Sequence, residues 1–143
     1  MDGQITFTII KPKALSRHLL GSILKIIYSN GFHVVALKMI QMTLKQAEQF
    51  YGIHKGKPFY NYLINHITSG PIVVAILQKE NAVKDFRKLI GATDPKEADE
   101  GTIRKLYALS VQENAIHGSD SDENAIIESN FFFSKSERFY YRE

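Results

Sequence analysis

From Gln4 to Ile10 the chain alternates, Ile5, Phe7 and Ile9 being separated by Thr6 and Thr8, and this two-residue period of β-branched side chains predicts a strand closed by Lys11-Pro12. Leu19, Leu20, Ile23, Leu24 and Ile27 then recur at helical spacing and Asn30-Gly31 supplies a left-handed stop, so residues 16–29 are expected to form one amphipathic helix. Residues 32–42 return to extended character. Thr43 with Gln46 three places on reads as a capping box opening a short helix through Phe50. Pro58 suits the first turn of a further helix carrying Phe59, Leu63 and Ile67, which Ser69-Gly70-Pro71 ends.

Residues 72–77, Ile-Val-Val-Ala-Ile-Leu, are apolar on both faces, as a central strand covered over most of its surface must be. Asn81 can cap a helix with Val83, Phe86, Leu89 and Ile90 inward and Lys84, Arg87 and Lys88 outward, and Gly91 ends it. Residues 91–101 are polar, a loop long enough to predict use. Residues 102–109 form a short helix in this reading, Ala115-Ile116 a short strand, and Ser121 caps a last helix whose first turn, Asp122 and Glu123, suits the dipole. The order β, α, β, helical insert, β, α, loop, β, α predicts an α+β fold, a ferredoxin-like sandwich in which helices cover one face of a four-stranded antiparallel sheet.

Composition narrows the function classes. A chain of 143 residues with 44% hydrophobic and 23% charged positions fits one folded domain, residues 1–143, rather than a disordered chain. The absence of Cys excludes disulfides, thiolate metal sites and cysteine catalysis. A net charge of +3 biases the surface only weakly toward phosphate. No apolar run approaches the roughly 20 residues of a membrane span, and Met1-Asp2-Gly3-Gln4 lacks the pattern of a secretory signal, so a cytoplasmic protein without membrane contact is expected.

The most informative stretch is Asn114-Ala-Ile-His117-Gly-Ser119-Asp-Ser121. Histidine followed by glycine has one flank free of side-chain bulk, and Glu128, on the helix after it, is available to accept from one ring nitrogen while the other stays free. Phosphoryl transfer to imidazole needs that arrangement. By itself, a histidine beside glycine is more often a turn or core residue than a nucleophile.

The whole octapeptide resembles the signature Asn-x-x-His-Gly-Ser-Asp-Ser of the nucleoside diphosphate kinase family. The similarity runs nearly end to end, through Ile10-Lys11-Pro12, Lys57-Pro58-Phe59, Thr68-Ser69-Gly70-Pro71, Gly91-Ala92-Thr93-Asp94-Pro95 and Gly101-Thr102-Ile103-Arg104. The resemblance implies transfer of the terminal phosphate of a nucleoside triphosphate to a diphosphate by a ping-pong route through phosphorylated His117, with broad base specificity. It implies that Lys11, Arg87, Thr93, Arg104 and Asn114 contact the phosphates or sugar, that Phe59 stacks on the base, and that Tyr51, Ser119 and Glu128 support the histidine. It also implies Mg²⁺ carried with the nucleotide, no protein metal site, no specific nucleic acid, and a homo-oligomer, tetrameric or hexameric. Such chemistry asks a protein mainly for positioning and cations, which Lys11, Arg87 and Arg104 offer from separate elements.

Two positions depart from the family pattern: Lys13 stands where an acidic or amide residue often follows Lys-Pro, and Leu106 where Asp is common. They place loop anchoring, stability and assembly in question rather than the chemistry. The rival expectation is a non-catalytic nucleotide or single-stranded nucleic-acid binding module built from the same cationic and aromatic groups.

Overall fold

A computed structural model describes residues 3–142; Met1, Asp2 and Glu143 of the expected 1–143 domain lie outside the described residues. The first alternating segment forms β1 (Ile5–Ile10), buried along its whole length. Pro12 sits in the first turn of α1 (Pro12–Ser16), where a missing N–H leaves no helical bond unmade. His18 then takes φ 62°, which breaks the single helix expected over residues 16–29, and α2 (Leu20–Ser29) follows the break. Leu15 before the break and Leu19 after it keep a four-residue helical spacing, so periodicity alone does not reveal it.

The edge strand β2 (His33–Ile40) leads to α3 (Leu44–Phe50), opened by the capping box in which Thr43 accepts from the Gln46 amide and Gln46 from the Thr43 amide. A 3-10 turn (Gly52–His54) and α4 (Tyr60–Ile67) complete the insert, with Phe59 rather than Pro58 at the helix entrance. β3 (Ile72–Gln78) is wholly buried. α5 (Ala82–Ile90) follows, but Asn81 adopts φ 53° and makes no side-chain cap, contrary to the reading of Asn81 as an N-cap. Thr102 caps α6 (Ile103–Tyr107), which stops short of Leu109. The last strand is β4 (Ile116–Gly118), displaced from the expected Ala115-Ile116 because Ala115 itself is left-handed at φ 75°. Ser121 caps α7 (Asp122–Phe132) as expected.

The sheet runs β2-β3-β1-β4 with antiparallel neighbours throughout, the ferredoxin-like α+β arrangement. Side chains alternate across it. Phe7, Ile9, Val74 and Ile76 meet Ala47, Ile64, Ile67 and Phe132 from α3, α4 and α7 on one face. Ile10, Val73, Ala75 and Leu77 meet Ile23, Ile27, Phe86, Ile90 and Ile103 from α2, α5 and α6 on the other. The expectation that helices cover one face is therefore corrected: both are covered, because β3 carries apolar side chains in both registers and the second register of β1, Thr6, Thr8 and Ile10, is buried as well. Each fully buried Ile or Phe contributes about 1.5–3 kcal/mol of transfer free energy, so the two layers hold the central strands rigidly.

This rigidity fixes β4. Its three residues pair with β1, Thr8 opposite Gly118, Ile9 opposite His117 and Ile10 opposite Ile116. Opposed residues share a face, which places His117 on the side of Phe7 and Ile9. Gly118 has a steric reason: a Cβ there would lie 3.0 Å from both Ile90 Cδ1 and Phe86 Cδ2 of α5.

Candidate active site

His117 is held at both ends of its residue. Its carbonyl accepts from Thr8 Oγ1 at 2.7 Å, and its ring Nε2 lies 3.0 Å from Glu128 Oε1 on α7. The same carboxylate oxygen accepts from Ser119 Oγ at 2.7 Å, and Ser119 is fixed in turn by the Phe7 backbone, whose N–H donates to its hydroxyl at 3.1 Å. An ionised carboxylate only accepts, so Nε2 carries the hydrogen toward Glu128 and Nδ1 keeps the lone pair. Phe7 and Phe50 flank the imidazole with ring centroids 6.2 and 5.9 Å away, the second edge-on. The His117 side chain remains 23% exposed, enough to meet a ligand.

Tyr51, at the end of α3, is buried, and that burial, with the Glu128 charge second, pushes its hydroxyl well above the usual phenol range. It stays neutral beside the carboxylate. Its ring continues outward to His54 at 6.3 Å and from there to Phe59 at 5.5 Å. Phe59 is 41% exposed at the mouth of α4, with Lys57 Nζ 5.9 Å from its ring.

A second group surrounds the end of β1. Lys11 is buried, donates to Asn114 Oδ1 at 2.7 Å, and its own backbone N–H donates to the Ala115 carbonyl at 3.0 Å. Burial first and Arg104 second lower its pKa from 10.5 to about 7. Arg104 donates to the carbonyls of Gly91 and Ile116, each at 2.9 Å, which ties α6 to the end of α5 and to β4, and its buried Nε finds no partner. Burial and then Arg87 lower its pKa to about 10. Among the described residues Lys11, Arg87 and Arg104 form no salt bridge. Three basic side chains without a counter-ion, two of them desolvated, make a place where an anion is stabilised.

Of the residues singled out in the sequence, the structure thus gathers His117, Glu128, Ser119 and Tyr51 around one carboxylate and Lys11, Asn114, Arg104 and Arg87 around one cationic cluster. Thr93 stays exposed on the 91–102 loop and Phe59 exposed at α4; neither hydrogen-bonds to either group. Sequence reasoning missed Thr8, Phe7, Phe50 and His54. Thr8 stood out only as the polar partner in an alternating strand, and nothing local announces that β4 pairs beside it.

Comparison with known proteins agrees with this fold. A profile of the family described as nucleoside diphosphate kinase matches residues 4–138. The nucleoside diphosphate kinase of Lawsonia intracellularis is 56% identical over 135 residues, covering 94% of this chain and 98% of the relative. That of Chlorobaculum tepidum is 56% identical over 132 residues, covering 92% and 94%. Among solved structures, the Aquifex aeolicus nucleoside diphosphate kinase superposes with a TM-score of 0.92 at 40% identity, covering 94% of this chain and 98% of that one. A halophilic nucleoside diphosphate kinase from Halobacterium salinarum, in complex with CDP, gives 0.93 at 32% identity, covering 99% and 94%. Likeness of this extent makes the chain an enzyme of nucleotide phosphotransfer, and the non-catalytic binding module is not retained. With both the fold and nearly the whole sequence matched, the chain belongs to the nucleoside diphosphate kinase family.

Proposed function

We propose that the chain is a single catalytic domain that carries the phosphoryl group on His117. The observation that carries this reading is the 3.0 Å approach of Nε2 to Glu128, which leaves Nδ1 as the free nucleophile. In the first half-reaction the Nδ1 lone pair forms a bond to the γ-phosphorus of a nucleoside triphosphate. The bond from that phosphorus to the β–γ bridging oxygen breaks, and its electrons leave with the diphosphate. In the second, a terminal oxygen of another nucleoside diphosphate attacks the phosphohistidine, and the N–P electrons return to Nδ1. Glu128, held by Ser119, stabilises the positive charge that the ring acquires.

Lys11, Arg87 and Arg104 neutralise the phosphates, with Asn114 aligning the Lys11 amine and Thr93 adding a hydroxyl from its loop. Phe59 gives the base a π-face, which accepts every base, so specificity is broad. CDP bound to the halophilic relative is one nucleotide of that range. Magnesium enters as part of the substrate: a cluster of cations repels a protein-held metal, and Mg²⁺ binds readily through phosphate oxygens. The assembly is a tetramer or hexamer, for which the outer edge of β2 is suited beyond the Val35 carbonyl, which accepts from the Phe139 N–H at 2.9 Å, since Leu37 and Met39 stay exposed there. The compartment is the cytoplasm; the described residues contain no helix long and apolar enough to cross a membrane.

The test is to mix the protein with γ-labelled ATP, then with a different nucleoside diphosphate. The native chain takes up acid-labile label and hands it on. His117→Ala does neither, and persistent labelling of that variant would refute the assignment.

A further inference from the structure

Lys13 is one of the two departures from the family pattern, and the structure gives it a partner. Its Nζ lies 2.7 Å from Glu113 Oε1, and the same oxygen accepts from the Tyr62 hydroxyl at 2.9 Å. One carboxylate from the 108–115 segment is thereby bound to α1 through Lys13 and to α4 through Tyr62. The segment is braced from within as well: Glu113 N–H donates to Ser110 Oγ at 3.1 Å and Leu109 N–H to the Glu113 carbonyl at 2.9 Å. The Lys13 bond holds the Glu113 carboxyl below the usual range and raises the Lys13 amine, so the pair is charged at neutral pH.

The next two residues explain why such bracing matters. Asn114 accepts from the buried Lys11 ammonium, and Ala115 sits at φ 75° immediately before the strand that carries His117. A non-glycine residue persists in that conformation only where its surroundings over-determine it. Lys11 fixes the segment on one side of Glu113, and the backbone turn at Ser110 fixes it on the other.

We propose that Lys13, Glu113 and Tyr62 form a positioning clamp for phosphoryl transfer, holding the 109–115 segment so that Asn114 keeps the Lys11 amine in register with the incoming phosphates. None of the three touches substrate; they act through Asn114 and Lys11, and the inference rests on the proposed role of those two residues. A small displacement of a positioning group costs up to about a hundredfold in rate, so a partly loosened clamp is expected to cost about tenfold.

The experiment compares Glu113→Gln, Lys13→Glu, the exchanged pair Lys13→Glu/Glu113→Lys, and Asn114→Ala, in kcat, KM for ATP and melting temperature. Each single clamp variant should raise KM and lower kcat/KM about tenfold while its melting temperature stays close to that of the native chain, and the exchanged pair should recover most of the loss. Native kcat/KM in Glu113→Gln beside a crippled Asn114→Ala overturns the clamp and leaves the phosphate site standing. Failure of the exchange to restore the singles also overturns it. Full activity in Asn114→Ala removes the underlying site and the clamp with it. Should Glu113→Gln not fold, Tyr62→Phe removes a single O–H, and its kcat/KM should fall about threefold with an unchanged melting temperature; native kcat/KM there refutes the clamp.

Discussion

At the scale of single residues, the cationic cluster has a thermodynamic signature. Lys11 in the folded chain titrates near about 7 against 10.5 for an ordinary lysine, chiefly through burial. Between those values the unfolded chain holds a proton that the folded chain has released, so stability rises with pH across the window, and the penalty of the buried charge is complete below it. The ligand-free protein should therefore melt at higher temperature at pH 9 than at pH 7, and Lys11→Met should flatten that rise while abolishing phosphotransfer. A rise undiminished in Lys11→Met would show that another group causes it. Tyr51, whose pKa is raised, bends the curve the other way only at higher pH, which is why the comparison stops at 9. Phosphate bound at Lys11 as proposed should reverse the effect by supplying the missing counter-charge. Nucleotide binding above pH 7 should take up protons, which calorimetry in buffers of different ionisation enthalpy reads directly. His117 and Lys11 were legible as residues because their motifs are local. The Thr8 bond to the His117 carbonyl was not, since it joins residues 109 positions apart.

At the scale of elements, caps and stops were readable where the side chain bonds within a turn of itself. Thr43 with Gln46, and Ser121 accepting from Asn124 at 3.0 Å, follow directly from local chemistry. Asn81 shows the limit: the residue type is right for a cap, but the chain arriving from β3 forces φ to 53° and the side chain caps nothing. Gly91 is the most constrained stop. At φ 89° it is left-handed, and a Cβ would lie 2.5 Å from Thr102 Oγ1. Gly91→Ala should therefore destabilise the fold by about 2 kcal/mol or more, and because the Gly91 carbonyl holds Arg104, it should weaken nucleotide binding as well. Urea titration and KM for ATP measure the two effects; a variant as stable as the native chain would show that the α5–α6 junction yields. Ser121→Ala removes the α7 cap and should cost about 1 kcal/mol, with a smaller loss of activity through Glu128.

At the scale of the whole molecule, the two covered faces of the sheet make a rigid platform on whose margin β4 carries the histidine. The exposed aromatic at α4 lies apart from that platform, so base recognition and phosphate chemistry should separate experimentally. Phe59→Ala should raise KM about tenfold for adenine, guanine, cytosine and uracil nucleotides alike while leaving the phosphorylation of His117 by saturating ATP intact. A loss confined to one base would contradict a shared stacking surface. The sequence by itself determined the strands of the core, the helices capped by Thr43 and Ser121, and the contiguous string around His117, because periodicity, caps and such a motif are written within a few residues of one another. Only the tertiary structure decided that helices close over both faces, that α1 and α2 part at His18, that β4 includes His117, and that Lys13 reaches Glu113. These depend on strand register and on contacts between distant segments, where the free energy comes from burial and pairing that no local pattern encodes.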